Sequence, residues 1–235
     1  MCKLFSLVSD GNGKIMYFDW TLREKCLKKE FSYEPDSHTS IADYFGYKGK
    51  DEDILNKYEY NPLTKEFKVD QLNTIDDSDK VKQFCLNLDF KTIVPQLIIK
   101  PIVNPLMLPK IEKVTGNDIA LLKQWDSVWA SVWDSVWASV WDSVRASVGD
   151  SVWDSVWASV WDSVWASVWD SVWASVRAYI STYFDIKYNF DYSSSNKLWE
   201  RGLVPSFDGK IWRLHTGKNA DIVFEIEKSK LMEGK

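Results

Sequence analysis

Histidine and cysteine are scarce in this chain, with two and three copies among 235 residues, and the scarcity removes much chemistry at the outset. Cys2, Cys26 and Cys85 are odd in number, and no pair has the spacing of a metal clip or a redox dithiol. Reduced thiols are therefore the expectation. His38 and His215 lack a second His or Cys at ligand spacing, so neither a metal site nor a cofactor is expected. No apolar run approaches the roughly 18 residues of a membrane span, and Leu4 to Val8 is too short for the core of a signal peptide. A cytoplasmic protein is expected. An excess of basic charge is missing as well. The net charge is −5, and residues 125–176 hold seven Asp and one Arg. That balance argues against direct nucleic-acid binding, which needs cations facing phosphates.

Tryptophan is what the chain has in plenty. Fourteen are present, and eleven lie between Trp125 and Val176. That stretch is thirteen uninterrupted tetrapeptides of the form Trp-(Asp/Ala)-Ser-Val. Asp and Ala alternate from copy to copy, with one slip at Asp150 and Asp154. Ser and Val never vary, whereas Arg145 and Gly149 replace Trp inside the array and Arg177 just after it. A position that accepts Trp, Arg and Gly reads as outward or half covered, and one held at Val as inward.

The flanks read as ordinary scaffold. Residues 1–113 form an α+β domain. Hairpin signals lie at Ser9–Gly13 and at Asn61–Lys65, helices over Thr21–Glu30, Ser40–Phe45 and Ser78–Leu88, and an extended Pro-rich connector over Thr92–Lys110. Residues 114–124 are a capping helix opened by Thr115 and Asp118. Residues 125–184 are the array with its decaying end. Residues 185–235 are a small β-rich unit, with a short helix at Asn196–Arg201 and a hairpin of Ile211–His215 with Asp221–Ile226.

A fixed period implies one architecture for the array. On a helix, four residues advance 400°, so each copy rotates its stripe by about 40°. Over about nine copies the indoles circle the axis, giving a helix apolar on all sides. Trp, Ser, Val and Asp are middling or poor helix formers. Strands suit Val and Trp, and Asp and Ser suit corners. The expectation is a narrow tetrapeptide-repeat β-solenoid with Val along its axis and Trp stacked outside, the alternative being a long α-helix over the repeat. Valine burial alone does not offset the entropy of ordering the array. The indoles must therefore be covered by one another, a flanking domain, a second copy or a partner.

The array resembles a shortened relative of the pentapeptide-repeat proteins, which implies a β-solenoid. The unit here is four residues and lacks their central Leu, so their gyrase-binding, DNA-mimicking role does not carry over residue by residue. The chain also resembles tailed-bacteriophage and gut-bacterial proteins that carry Ser-Val-Trp-Asp and Ser-Val-Trp-Ala arrays. The stretches concerned are Pro205-Ser206-Phe207-Asp208-Gly209 and Trp212-Arg213-Leu214-His215. This second resemblance implies a phage context and no particular chemistry.

Three functional readings follow. The first is a non-enzymatic interaction or assembly module. Its binding surface is the indole column Trp153, Trp157, Trp161, Trp165, Trp169 and Trp173, and its partner is a protein or a second copy of the chain. The second is a hydrolase with Cys2 as N-terminal nucleophile, exposed on loss of Met1, and the array as spacer. The third is an acidic DNA-mimicking inhibitor. Other clusters read as structural. Asp36, Ser37 and His38 are adjacent in sequence, whereas a triad needs convergence in space. Gly11-Asn12-Gly13-Lys14 lacks phosphate-loop spacing. Asp51–Asp53 and Asp76–Asp79 read as solvated loops.

Overall fold

The structure, a computed structural model, describes residues 5–164, 173–188 and 190–233. The chain divides into two compact units. The first comprises Met1–Pro101 with Ser143–Trp157, and the second Ile102–Asp142 with Ala158–Lys235. The array is thus not a body of its own, and its copies are distributed between the units.

In the first unit, β1 (Phe5–Ser9) pairs antiparallel with β2 (Ile15–Met16) and with β3 (Asn56–Asn61), which in turn pairs with β4 (Glu66–Gln71), giving the order β2-β1-β3-β4. Phe5, Leu7 and Val8 are fully buried. α1 (Trp20–Leu27) starts at Asp19, whose carboxylate accepts the Leu22 N–H at 3.0 Å, two residues before the start that Thr21 suggested. α2 (His38–Tyr44) is capped by Ser37. A core of Val8, Met16, Phe18, Ile41, Ala42 and Leu55 fills the space behind them. α3 (Ser78–Asn87) begins beside Asp77. This carboxylate is not simply solvated: it accepts hydrogen bonds from Ser9 Oγ, from Asn56 Nδ2 at 3.1 Å and from Tyr58 Oη at 2.6 Å. Burial works to raise its pKa, but those three donors prevail and hold it below the ordinary carboxylate value. Asp77 so ties β1 and β3 to the start of α3.

In the second unit, β5 (Val204–Phe207), β6 (Ile211–Thr216) and β7 (Asp221–Glu227) form an antiparallel sheet in that order. β5 lies outside the expected hairpin, because Pro205 and the short run hide its strand character. α7 (Ser193–Glu200) ends before Gly202, which sits at φ 81°. α8 (Lys228–Glu233) follows β7. The Trp199 indole stacks on Tyr179 at 4.8 Å and donates to the Val103 carbonyl at 3.0 Å. In this way the Pro-rich connector is held by side chains rather than by a ladder.

Where it is described, the array is helical, which overturns the expected β-solenoid. α4 (Gly116–Val148) is opened by a capping box, in which Thr115 Oγ1 accepts the Asp118 N–H and the Asp118 carboxylate accepts the Thr115 N–H at 2.9 Å. α5 (Asp150–Val164) and α6 (Trp173–Ser181) carry later copies. Nor is the array one rod, for Gly149 between α4 and α5 is buried at φ 88°. The tetrad position that turns inward is not the same throughout the array. In the first copy Trp125 and Asp126 are buried while Ser127 is exposed and Val128 half-buried. From the fifth copy to the ninth the fourth position is inward, with Val144, Val148, Val152, Val156 and Val160 all at 0–1% exposure, while Ala146 and Asp154 are exposed. At the last copy Ala174, Ser175 and Val176 are buried together. A helix of this period therefore does not need an apolar face all round at any one level. It needs cover that changes along its length, and tertiary cover of this kind outweighs weak local propensity. Each buried Val contributes about 1.5–3 kcal/mol.

The Trp-to-Gly change at 149 marks a backbone requirement and not an outward position that tolerates any residue. A Cβ there would meet Leu27 Cδ2 at 3.4 Å, and the left-handed backbone disfavours any side chain. Gly149→Ala is expected to lower stability by about 1–2 kcal/mol, and Gly149→Trp, which restores the repeat consensus, to lower it further. Urea unfolding of the two variants checks this, and a more stable Trp variant would refute it.

Candidate functional site

Beside the helix break, within the first unit, lies a cleft of about 780 Å3. The segment from the end of α1 to the start of α2 and the edge of β4 line it together with Gly149, Asp150 and Asp154 of the array. Asp36 in its lining belongs to a buried ion pair: Arg23 and Asp36, each 2% exposed, meet through Nη1 and Nη2 of the guanidinium, and Arg23 Nε donates to the Phe18 carbonyl at 3.2 Å. Such a pair keeps its geometry because its donors and acceptors are met. His38, also buried, has Nε2 at 2.9 Å from the Tyr58 carbonyl. A carbonyl only accepts, so Nε2 carries the proton and Nδ1, 3.9 Å from Asp70 Oδ2, is turned toward a carboxylate. The Lys68 ammonium, 2.8 Å away, holds the Asp70 carboxyl below its usual value.

The adjacent Asp36, Ser37 and His38 go to three separate partners. Asp36 takes Arg23, Ser37 accepts the Ser40 N–H as a helix cap, and His38 binds the Tyr58 carbonyl. No triad forms from them. Cys26 lines the cleft, but burial pushes its thiol up, and Cys85 is pushed up to about 12 by the same cause. Neither offers a thiolate at neutral pH. Cys2 lies outside the described residues. Among the described residues no group of three His, Cys, Asp or Glu side chains converges as a metal set.

Of the six indoles expected to form a column, four lie among the described residues. Trp153 is 3% exposed and packs on Trp157, with ring centroids 6.1 Å apart. Trp157 and Trp161 are half-buried, Trp173 opens α6, and Trp165 and Trp169 lie outside the described residues. In the second unit Trp129 packs edge-on against Phe207 at 4.7 Å and Trp212 at 5.7 Å. The Asp row is broken: Asp126 is 2% exposed, accepting from Trp212 Nε1 at 2.8 Å and pairing with Lys228 Nζ at 3.0 Å. Asp150 and Asp154 by contrast are exposed at the cleft.

Sequence reasoning missed one polar pair with catalytic geometry. Ser206 Oγ lies 2.7 Å from His215 Nε2, and His215 Nδ1 lies 3.0 Å from the Ala220 carbonyl. The carbonyl fixes the proton on Nδ1, so Ser206 donates to Nε2. Ser206 is only 3% exposed, and its hydroxyl serves to join β5 to β6. The β5 strand was the signal needed to find it, since only its pairing brings residue 206 beside 215.

Comparison with protein-family models, with curated proteins and with solved structures gives no match. Among the described residues no helix is long and apolar enough to cross a membrane.

Two outcomes are expected. Asp36→Asn leaves the Arg23 charge buried and should cost about 3–5 kcal/mol, while Arg23→Met combined with Asp36→Leu recovers most of that loss; guanidinium unfolding of both variants tests the pair. Burial depresses the His215 pKa below its ordinary 6.5. The unfolded chain therefore takes up the proton first, and the stability this group contributes is complete above 6.5 and declines as pH falls through that value toward the folded one. The urea midpoint should drop on acidification across this window, with a shallower slope for His215→Gln. Equal slopes would remove His215 as the cause.

Proposed function

We propose that the chain is a non-enzymatic interaction module that captures a cationic segment of a protein partner in the cleft beside Gly149. The observation that carries this reading is the charge of the cleft wall. Glu34, Asp70, Asp150 and Asp154 are exposed on the wall against Lys29 and Lys57; with Asp70 bridged by Lys68 at 2.8 Å and Asp36 paired with Arg23, the wall keeps a formal excess of one negative charge. A concave acidic surface backed by a fixed ion pair attracts and orients a basic chain. The buried thiols and the committed imidazole of His38 favour binding over turnover.

On this reading the array acts as a wall. Trp153 anchors α5 within the first unit, half-buried Trp157 stands next to it, and the Asp residues that alternate with Ala supply the outward charge. The sequence resemblance to arrays of tailed phages suggests an infected bacterial cytosol as the setting.

A Lys-rich peptide should bind the full chain at low salt, and a Glu-rich peptide of the same length should not. Asp150→Asn with Asp154→Asn should weaken the Lys-rich peptide about threefold to tenfold, as expected for two exposed charges, and salt should weaken the unaltered protein similarly. Calorimetric titration decides. Equal affinity for both peptides, or no change in the double variant, would overturn the reading.

A further inference from the structure

The second unit contains a corner of aromatic rings closed by a carboxylate. Asp126 and Trp129 stand three residues apart on α4, and so share a face of the helix. Phe207 of β5 and Trp212 of β6 stack at 4.7 Å, and the Trp129 ring stands edge-on to them, inclined by 79° and 80°. The planes of Trp129 and Phe207 therefore meet at nearly a right angle. The Lys228 ammonium lies over both rings, 5.7 Å from the Trp129 centroid and 5.4 Å from the Phe207 centroid. On its third side it meets Asp126 Oδ1 at 3.0 Å. Asp126 is 2% exposed and Trp212 1%, whereas the Lys228 side chain is 36% exposed. The carboxylate is buried, and the lysine that neutralises it is the solvent-facing member.

A buried carboxylate requires a cation beside it, and ring faces attract one. The corner is fixed independently of the lysine, because Trp212 Nε1 donates to Asp126 Oδ1 at 2.8 Å. The lysine side chain, by contrast, is free to leave without its backbone. The Lys228 N–H is held by the Lys210 carbonyl at 3.0 Å, and α8 is anchored by Leu231 at 3% exposure. The distances narrow the chemistry of a replacement. With the nitrogen 5.4–5.7 Å from the two centroids, a methyl carbon bonded to it at about 1.5 Å and directed at a ring comes to roughly the 3.5–4.0 Å of carbon–carbon contact. Toward Asp126 the 3.0 Å separation is that of a direct N–H···O bond and leaves no space for a methyl. The group that matches all three sides is a nitrogen with methyls toward the rings and an N–H toward the carboxylate.

We propose that Asp126, Trp129 and Phe207 form a binding site for a methylated ammonium that keeps one N–H, a dimethyl- or trimethylammonium group, and that Lys228 occupies this site as a tethered competitor. A quaternary ammonium lacks the N–H, and a neutral group of the same shape lacks the charge, so both are selected against. The site belongs to the second unit and is independent of the acidic cleft of the first.

Saturation-transfer NMR on the full chain tests this with trimethylammonium, tetramethylammonium and tert-butyl alcohol. Lys228→Ala should bind trimethylammonium at millimolar affinity and at least about tenfold more tightly than the parent, since the tethered competitor is gone. The other two probes should bind that variant about tenfold more weakly, for want of the N–H or of the charge. Adding Asp126→Asn, which keeps an acceptor for Trp212, should abolish the preference for trimethylammonium over the alcohol. Should the Ala variant misfold, the parent keeps the test open: the Lys228 ε-methylene resonance, displaced upfield by the two rings, should move toward its free position as trimethylammonium is added. A peptide with one dimethyllysine separates the sources of the ligand. Tighter binding than free dimethylammonium assigns the site to a protein partner, and equal or weaker binding to a small amine. No binding of trimethylammonium to Lys228→Ala, equal affinity in variant and parent, equal affinity for the three probes, or an unmoved Lys228 resonance would overturn the proposal.

Discussion

A repeat of four residues is out of step with a helix of 3.6, and the rotation of about 40° per copy that results governs how this array can be buried. Within one unbroken helix the same tetrad position can face one surface for only a few copies. The inward position passes from Trp125 and Asp126 in the first copy to the valines of residues 144–160, and the array copies are shared between two compact units. The break at Gly149 interrupts the drift and starts a new helix at Asp150. Uniform copies thus meet non-uniform surroundings, and identical residues acquire different roles. Asp126 is a buried acceptor for Trp212 and Lys228, whereas Asp154 is an exposed charge at a cleft.

The break also explains why a cleft stands where it does. The left-handed turn at Gly149 lies beside Leu27, and the carboxylates that follow it, Asp150 and Asp154, become part of the wall. Across from them, the polar groups that give the cleft its form are already committed: Asp36 to Arg23, Ser37 to the α2 backbone, His38 to Tyr58. Commitment of this sort fixes shape and leaves little freedom for proton transfer.

Buried polar groups do most of the joining within each unit. Asp77 gathers Ser9, Asn56 and Tyr58 from two strands, and Trp199 and Tyr179 hold the connector at Val103. His215 takes Ser206 and Ala220.

By itself the sequence determined most of the local structure. The hairpins at Ser9–Gly13 and Asn61–Lys65, the helix over Ser78–Leu88 and the capping box of Thr115 and Asp118 were legible, because turn chemistry, periodicity and capping act between residues a few positions apart. It also marked Val as the inward residue of the array and placed its charge in Asp. Tertiary structure alone decided that the array is helical and not a solenoid, since four residues without strong propensity take the state whose faces find cover. It likewise decided that the helix breaks at Gly149, that Trp125 and Trp153 are core residues, and that Ser206 meets His215. Each of these depends on surfaces brought together from distant parts of the chain, and burial of such surfaces outweighs the few tenths of a kcal/mol by which local preferences differ.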